Sequence, residues 1–405
     1  MTRAAVTGIG LVTPAGVGVG TTWRALLAGQ STAAFEPELE GLPVDFCCRV
    51  PDLAAHRRLG HKTARQLDRF GVMALLAARE AVLDAGLDER QWDPARIAVV
   101  LGVGSNSMAT YPAEFGRLND HRADRVSPLA IPRSIPNLVA GDVSLDLGVT
   151  GPSFTVNTAC ASGATALGVG RLLLEKNMCD IVISGGSDSV CAAMPAACFA
   201  QMRALSRRGH EPARAARPFD VHRDGFVLGE GAAVLVLERE AYALARRARI
   251  RAHLDGFGAS SDAYHRVAPH PDGAGLIGAM RAALADAGWQ PQDVDHVSAH
   301  ATGTPTGDVI EGRALARCFA DGPPVTALKG TIGHTVGAAG AIASAVAVLS
   351  LEQQIVPPTA NLDDPDPEIT LDVVRGTPRP AGLRSVLVNS SGFGGQNAVL
   401  AFSAP

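Results

Sequence analysis

One thiol and two imidazoles are set among small residues. Cys160 lies in Asn157-Thr158-Ala159-Cys160-Ala161-Ser162-Gly163. His300 lies in Ser298-Ala299-His300-Ala301-Thr302-Gly303-Thr304, and His334 in Lys329-Gly330-Thr331-Ile332-Gly333-His334. Each stands at the edge of an apolar run or at the start of a helical pattern. A thiol that can carry an acyl group, with imidazoles that can move protons or donate hydrogen bonds, is the set of groups that acyl transfer through a thioester requires. Cys160 directly precedes a helix pattern, where the partial positive charge and free N–H groups favour a thiolate. Its neighbours Ala159, Ala161 and Ser162 leave room for a substrate. Cys179, Cys191, Cys198 and Cys318 read better as structural thiols.

A lone histidine at a strand end is more often structural than catalytic. His296 and His300 share one segment, however, and only His300 opens a loop of Thr302, Gly303, Thr304, Pro305 and Thr306, in which backbone can approach a ligand. His334 has Gly333 before it and a helix behind it. Neutral imidazoles so placed can stabilise a developing oxyanion. His222, His265 and His270 fall in polar loops and read as solvated. Lys329 ends an apolar run, an odd place for a solvated lysine; it needs a carboxylate, and Asp308 and Glu311 just beyond the His300 loop are the candidates. Neither HExxH nor a close Cys/His cluster is present, so zinc is a poor reading.

Two glycine-rich segments invite other readings. Val6-Thr7-Gly8-Ile9-Gly10-Leu11-Val12-Thr13 follows a strand, but Thr13 replaces the third glycine of a dinucleotide fingerprint and Pro14 spoils its helix. Asn389-Ser390-Ser391-Gly392-Phe393-Gly394-Gly395-Gln396-Asn397, between two strands, is either a hairpin turn or a flexible glycine loop carrying Phe393 and presenting backbone N–H groups to an oxyanion.

The elements that must position these groups alternate between short apolar runs and helical patterns, the signature of an α/β protein with buried strands. Strands are expected over 4–8, 97–102, 181–184 and 232–238, then over 249–257, 296–300, 325–328, 385–389 and 398–402. Helices are expected over 22–28, 62–85 and 162–175, then over 275–287, 307–319 and 337–353. A basic, Ala-rich stretch at 241–249 joins the two series, dividing the chain into 1–245, which carries the cysteine, and 246–405, which carries both histidines. The series resemble each other: Cys160 and His334 each lead into a helix of Gly, Ala and Ser, suited to very close packing on all sides. Two unrelated Ala-rich helices would give the same pattern.

A chain of 405 residues is long for a single core. With 47% hydrophobic and 19% charged residues it reads as a buried globular protein, and a net charge of -4 gives no global reason to bind nucleic acid. Seven cysteines without framework spacing read as reduced thiols in the cytosol. The start lacks a signal-peptide apolar region. The run 336–351 is Gly- and Ala-rich and too short to span a bilayer.

Together these motifs resemble the elongating β-ketoacyl-acyl carrier protein synthases of fatty-acid and polyketide systems. The resemblance runs from Val6-Thr7-Gly8-Ile9-Gly10 through Arg217-Pro218-Phe219-Asp220 and Arg223-Asp224-Gly225-Phe226-Val227-Leu228-Gly229-Glu230-Gly231 to the terminal glycine loop. It implies the thiolase fold, two similar α/β halves in a five-layer αβαβα sandwich, usually dimeric. It also implies a decarboxylative Claisen condensation without cofactor or metal. Cys160 would hold the acyl chain, and His300 and His334 would handle the malonyl thioester. Lys329 would support the site with Glu311 and Asp308. Phe393, between Gly392 and Gly394, would gate the pocket, with the N–H groups of Cys160 and Phe393 as oxyanion hole.

Ser105, Ala130, Phe199, Thr302 and Thr304 would line the substrate pocket, with Ser105 and Ala130, the latter on a segment donated by the dimer partner, small where relatives are bulky. Lys62, Arg65, Arg125 and Arg203 would dock an acidic acyl carrier protein. Ala301 stands where many relatives have Gly, and Ser391 where close ones have Phe. Keeping Cys160, His300 and His334 points away from a thiolase using coenzyme A and from a silent chain-length-factor subunit. It points to an active extending enzyme of a polyketide or polyene system, or alternatively of housekeeping fatty-acid synthesis. Such an enzyme would be cytoplasmic, a homodimer or paired with a Cys-lacking chain-length-factor-like subunit, with neither membrane nor nucleic acid as partner.

Overall fold

A computed structural model describes residues 3–88, 92–320 and 322–405. Ten strands carry the fold. The first five are β1 (Ala4–Thr13), β2 (Ile97–Gly102), β3 (Ser153–Val156), β4 (Ile181–Ser189) and β5 (Glu230–Arg239). The second five are β6 (Ala252–Ser261), β7 (His296–Ser298), β8 (Val325–Thr326), β9 (Ser385–Gly392) and β10 (Gln396–Ser403). Their order is β3-β2-β4-β5-β1 in one half and β8-β7-β9-β10-β6 in the other, the same permutation twice. In each half the first three of these pair in parallel and the last two join antiparallel. Three antiparallel pairs, Ala4 with Leu254 through Val6 with Ala252, connect β1 to β6.

The halves also repeat a packing device. On β1, a Cβ on Gly8 or Gly10 would lie 2.1 Å or 1.9 Å from the carbonyl oxygens of Ala81 and Ala77 on helix α1 (Arg69–Asp84). On β6, a Cβ on Gly256 or Gly258 would lie 2.3 Å or 2.0 Å from those of Ala283 and Ala279 on a second outer helix, Ala274–Ala287. No side chain fits at such distances. The Gly-x-Gly of Val6–Gly10 therefore exists to let a helix lie on the strand, and it has no phosphate-binding turn.

Between the sheets run α2 (Ser162–Glu175) and, in the second half, Ala339–Gln353. Their backbones nearly touch: a Cβ on Gly163 would meet Ala341 N at 2.8 Å, and one on Gly340 would meet Ala164 N at 2.8 Å. The second of these helices is buried from Ala339 to Leu351, as its all-round small and apolar sequence requires. Each fully buried Val or Leu there contributes about 2 kcal/mol. Counted from Val336, this span reaches 18 residues and is apolar enough to cross a membrane, longer than the sequence suggested, but it is a core helix packed inside the molecule.

Several elements depart from expectation. The helix expected over 62–85 is two, His61–Gln66 and α1, because Leu67 is extended and Asp68 caps the second with a hydrogen bond from Arg69 N–H (2.5 Å). The strand expected over 249–257 starts at Ala252 and runs to Ser261. The stretch 241–249 is mostly helix and turn, Glu240–Ala245. Sequence reading missed β3 and the helices Thr110–Asn119, Ala130–Ser134, Asn137–Leu147 and Ala193–Gln201.

Candidate active site

Cys160 sits on a sharp elbow. Ala159 before it adopts φ 49°, a left-handed conformation, and α2 begins two residues later. Local hydrogen bonds hold the bend: Ala161 N–H to Thr158 O (3.0 Å), Ser162 N–H to Ala159 O (3.2 Å) and Ala159 N–H to Asn157 Oδ1 (3.0 Å). The buried Ser162 hydroxyl donates to Ala159 O (2.6 Å) and accepts from Thr158 N–H (2.9 Å). Gly392 comes against this elbow, where a Cβ would meet Thr158 O at 2.5 Å and Cys160 N at 3.0 Å.

The helix start was expected to favour a thiolate at Cys160. Burial outweighs it and pushes the thiol up to about 11, against the pull of Lys329 and of the N–H groups of Phe393 and Cys160 itself. The resting group is a thiol, and a base must take its proton.

His300 and His334 share a cavity of about 510 Å³ with Cys160. Their rings meet edge to face with centroids 5.4 Å apart, and Phe226 packs edge-on against His334 at 5.4 Å. Burial and the nearby Lys329 ammonium hold both imidazoles well below the usual histidine range, so both are neutral and each has one N–H to donate. His334 is fixed at its backbone, N–H to Val227 O (2.8 Å) and carbonyl from Gly229 N–H (3.0 Å). Its ring Nδ1 is buried without a hydrogen-bond partner. Two residues on, Val336 adopts φ 46°, a strained value for a β-branched residue.

The carboxylates act differently from the simple pairing with Lys329 expected. Lys329 Nζ donates to the carbonyl of His300. Glu311 accepts from His300 N–H (2.8 Å), Ala301 N–H (2.7 Å) and the Asn389 amide (3.2 Å). Asp308 accepts from Phe219 N–H (2.9 Å) and Gly303 N–H (3.0 Å) and lies 4.0 Å from the Arg223 guanidinium. Both carboxylates therefore fasten the backbone around His300 and reach Lys329 only through space. Burial lowers Lys329 to about 8 and raises Asp308 to about 6. The Arg217–Arg223 motif serves the same loop, since Arg223 donates to the carbonyls of Thr304 (3.1 Å) and Pro305 (2.8 Å).

Most of the other expected residues converge. Ser105, Phe199, Thr302, Thr304, Gly392 and Phe393 all line the cavity, and the rings of Phe393 and Phe199 lie 6.1 Å apart. Gly394 does not: it turns its N–H away to Arg266 O (2.8 Å). Ala130, expected to reach the pocket of a partner subunit, is buried in its own short helix outside this chain's own cavity wall. Lys62, Arg65, Arg125 and Arg203 are exposed on the outside. Sequence reading missed Phe226, Asn389 and above all Asp188. This fully buried carboxylate accepts from Gly104 N–H (2.9 Å), Gly337 N–H (2.8 Å) and the Ser105 hydroxyl, and burial raises it to about 6. No motif marks Asp188; only the glycines around it hint at a crowded centre.

Residues 1–243 match the family model "Beta-ketoacyl synthase, N-terminal domain" and residues 251–363 the model "Beta-ketoacyl synthase, C-terminal domain". The chain is 38% identical to the 3-oxoacyl-[acyl-carrier-protein] synthase 2 of Vibrio harveyi, over 99% of this chain and 98% of that protein. Its fold is similar to a solved structure of the ishigamide ketosynthase/chain length factor, with TM-score 0.93, 35% identity, and 100% and 99% of the two chains covered. It is similar also to a type II polyketide synthase acyl-carrier protein in complex with its ketosynthase bound to the hexaketide, with TM-score 0.90, 29% identity and both chains fully covered.

Proposed function

The chain belongs to the β-ketoacyl synthase family, and from that premise we propose that Cys160, His300 and His334 carry out its condensation. The reaction joins an acyl thioester to a malonyl thioester with loss of carbon dioxide. In the first step the Cys160 sulfur attacks the carrier's thioester. A new S–C bond forms, the carrier thiol leaves, and the Cys160 proton passes through a neutral imidazole to that leaving sulfur. The N–H groups of Cys160 and Phe393, which both reach the sulfur, support an oxyanion hole at this carbon.

In the second step the malonyl C–C bond breaks and its electron pair moves into an enolate. The N–H donors of His300 and His334 stabilise the enolate oxygen in the cavity. The enolate carbon then attacks the acyl carbon, and Cys160 leaves as thiolate to be reprotonated. Lys329, Glu311 and Asp308 act on His300: Glu311 and Asp308 fix its backbone and loop, Lys329 donates to its carbonyl, and burial, with the Lys329 charge second, keeps the imidazoles neutral. Phe393 closes over Phe199 as gate. The observation that carries this assignment is the shared cavity of one buried thiol and two neutral imidazoles.

The partner on this reading is an acyl carrier protein docking at Lys62, Arg65, Arg125 and Arg203 on an otherwise slightly acidic chain. The second subunit is another copy or a chain-length-factor-like protein, and the setting is the cytoplasm, where the thiol stays reduced. Among pathways, polyketide or polyene extension is supported by the small Ser105 in the cavity wall. Housekeeping fatty-acid elongation is the second reading, supported by the likeness to a 3-oxoacyl-[acyl-carrier-protein] synthase 2.

Intact-protein mass spectrometry with acyl-carrier substrate tests the chemistry. One acyl mass on the peptide containing Cys160 is expected, and loading on any other residue overturns the assignment. Arg65→Glu and Arg203→Glu should raise KM for carrier-bound substrate and leave small thioester mimics unaffected; equal effects on both remove the docking site.

A further inference from the structure

The two strained turns of the site are secured in different ways. The Cys160 elbow closes nearly all its hydrogen bonds within residues 157–165, and reaches out only where the Asn157 amide donates to Gly104 O at 3.5 Å. The turn behind His334 does not: the N–H of Gly337, directly after the strained Val336, is held by Asp188, a residue of β4 in the other half. The second Asp188 bond holds Gly104 N–H, on the loop after β2. The fit there is close enough to require glycine. A Cβ on Gly337 would lie 2.3 Å from Gly104 N and 2.6 Å from Asp188 Oδ2. A Cβ on Gly104 would lie 2.8 Å from both Ala159 O and a methyl of Val336.

We propose that Asp188 is a positioning residue for the malonyl half of the reaction, its carboxylate pinning the turn that aims the His334 imidazole into the cavity. His334 depends on such a pin because its ring has a partnerless Nδ1 and is oriented by packing on Phe226 and His300. A shift of the turn by a fraction of an ångström moves the ring, and no hydrogen bond at Nδ1 restores it. The Cys160 elbow meets the pinned loop only at Gly104 and otherwise keeps its own hydrogen bonds, so it is affected less.

The proposal rests on the roles given above to Cys160 and His334, and its test separates the two half-reactions. Asp188→Asn keeps the shape but sets an amide N–H₂ against donors that the carboxylate satisfied. The measurements are acyl loading of Cys160 by mass spectrometry, malonyl-carrier decarboxylation, and a thermal melt, on wild type and variant. The expected result is a folded protein whose acyl loading changes less than about threefold while decarboxylation falls about 100-fold. Ser105→Ala, which removes one donor from the same carboxylate at little risk to folding, should give a smaller loss with the same asymmetry. If both half-reactions fall equally, or neither falls, in whichever variant folds, Asp188 is merely structural and the proposal fails. Failure of the wild type to load Cys160 or to decarboxylate malonyl-carrier would instead remove the underlying site assignment.

Discussion

The two helix starts at the centre of the molecule, Cys160 before α2 and His334 before the Ala339–Gln353 helix, occupy equivalent places in duplicated halves and are stabilised in opposite ways. The cysteine's bend is built from neighbours in sequence: Asn157, Thr158, Ser162 and Thr165 supply its bonds with side chains. The histidine's turn is built from groups 100 to 230 residues away, Asp188, Val227 and Gly104. The frame is symmetric, but the two reactive groups rely on different ranges of contact. A hydrogen-bond donor to a transient enolate loses most of its effect with a small displacement.

The largest effect should come from Cys160→Ala. Acyl loading and condensation should fall by at least about 10³-fold, because Cys198, the other thiol in the cavity wall, lacks the helix-start elbow and the N–H groups that face Cys160. Malonyl decarboxylation should persist, and its simultaneous loss would show that the two regions are not separable. Next, His334→Ala should lower decarboxylation and condensation by about 10²–10⁴-fold while acyl loading stays within about threefold, measured in single-turnover assays. Comparable losses in both halves would break the contrast.

The pH profile sharpens it further. Lys329, lowered by burial, keeps its charge below about pH 8 and loses it above, which weakens its hydrogen bond to the His300 carbonyl, so decarboxylation should decline on the alkaline side with a limb near 8. The imidazoles are already neutral, so the profile should stay level from there down to about pH 6.5. An acid limb centred at the ordinary histidine value would mean that an imidazole works as a cation-forming group after all.

The smallest effect belongs to Ser162→Ala, which removes two buried hydrogen bonds from the elbow. It should cost about 1–3 kcal/mol of stability in denaturant titration and slow acyl loading a few-fold, with decarboxylation unchanged. Loss of decarboxylation in this variant would mean that the elbow and the distant turn are one unit.

What the sequence disclosed follows the same division. The Cys160 elbow was readable because small residues, a cysteine and a helix pattern stand side by side. The pairing of Cys160, His300 and His334 and the strong strands 97–102 and 181–184 were readable for similar local reasons, and family resemblance supplied the five-layer arrangement. Asp188 was not readable, since a carboxylate late in an apolar strand looks like an ordinary strand end until Gly104 and Gly337 are brought to it. Glu311 and Asp308 do act on Lys329 through space, but their backbone roles were not readable, because a sequence shows charges but not which backbone N–H groups lie beside them. Of the missed helices between 110 and 147, Asn137–Leu147 has almost no apolar periodicity, whereas Thr110–Asn119 is amphipathic but starts at Ala109 without a capping side chain. The split of 62–85 turned on the backbone at Leu67 alone. Gly8 and Gly10 show the converse error, a motif whose glycines serve helix packing and no ligand.

The buried helix Ala339–Gln353 also bears on how the chain is made. As it leaves the ribosome, the span Val336–Gln353 is as apolar as a membrane segment, and β9 and β10, which complete its sheet, are still to be synthesised. The surface it lies on, α2 with Gly163 and Ala164, has by then existed for more than 160 residues. The first half thus offers a docking face for the most aggregation-prone piece of the second before that piece emerges. The order of the two halves along the gene works as an internal chaperone.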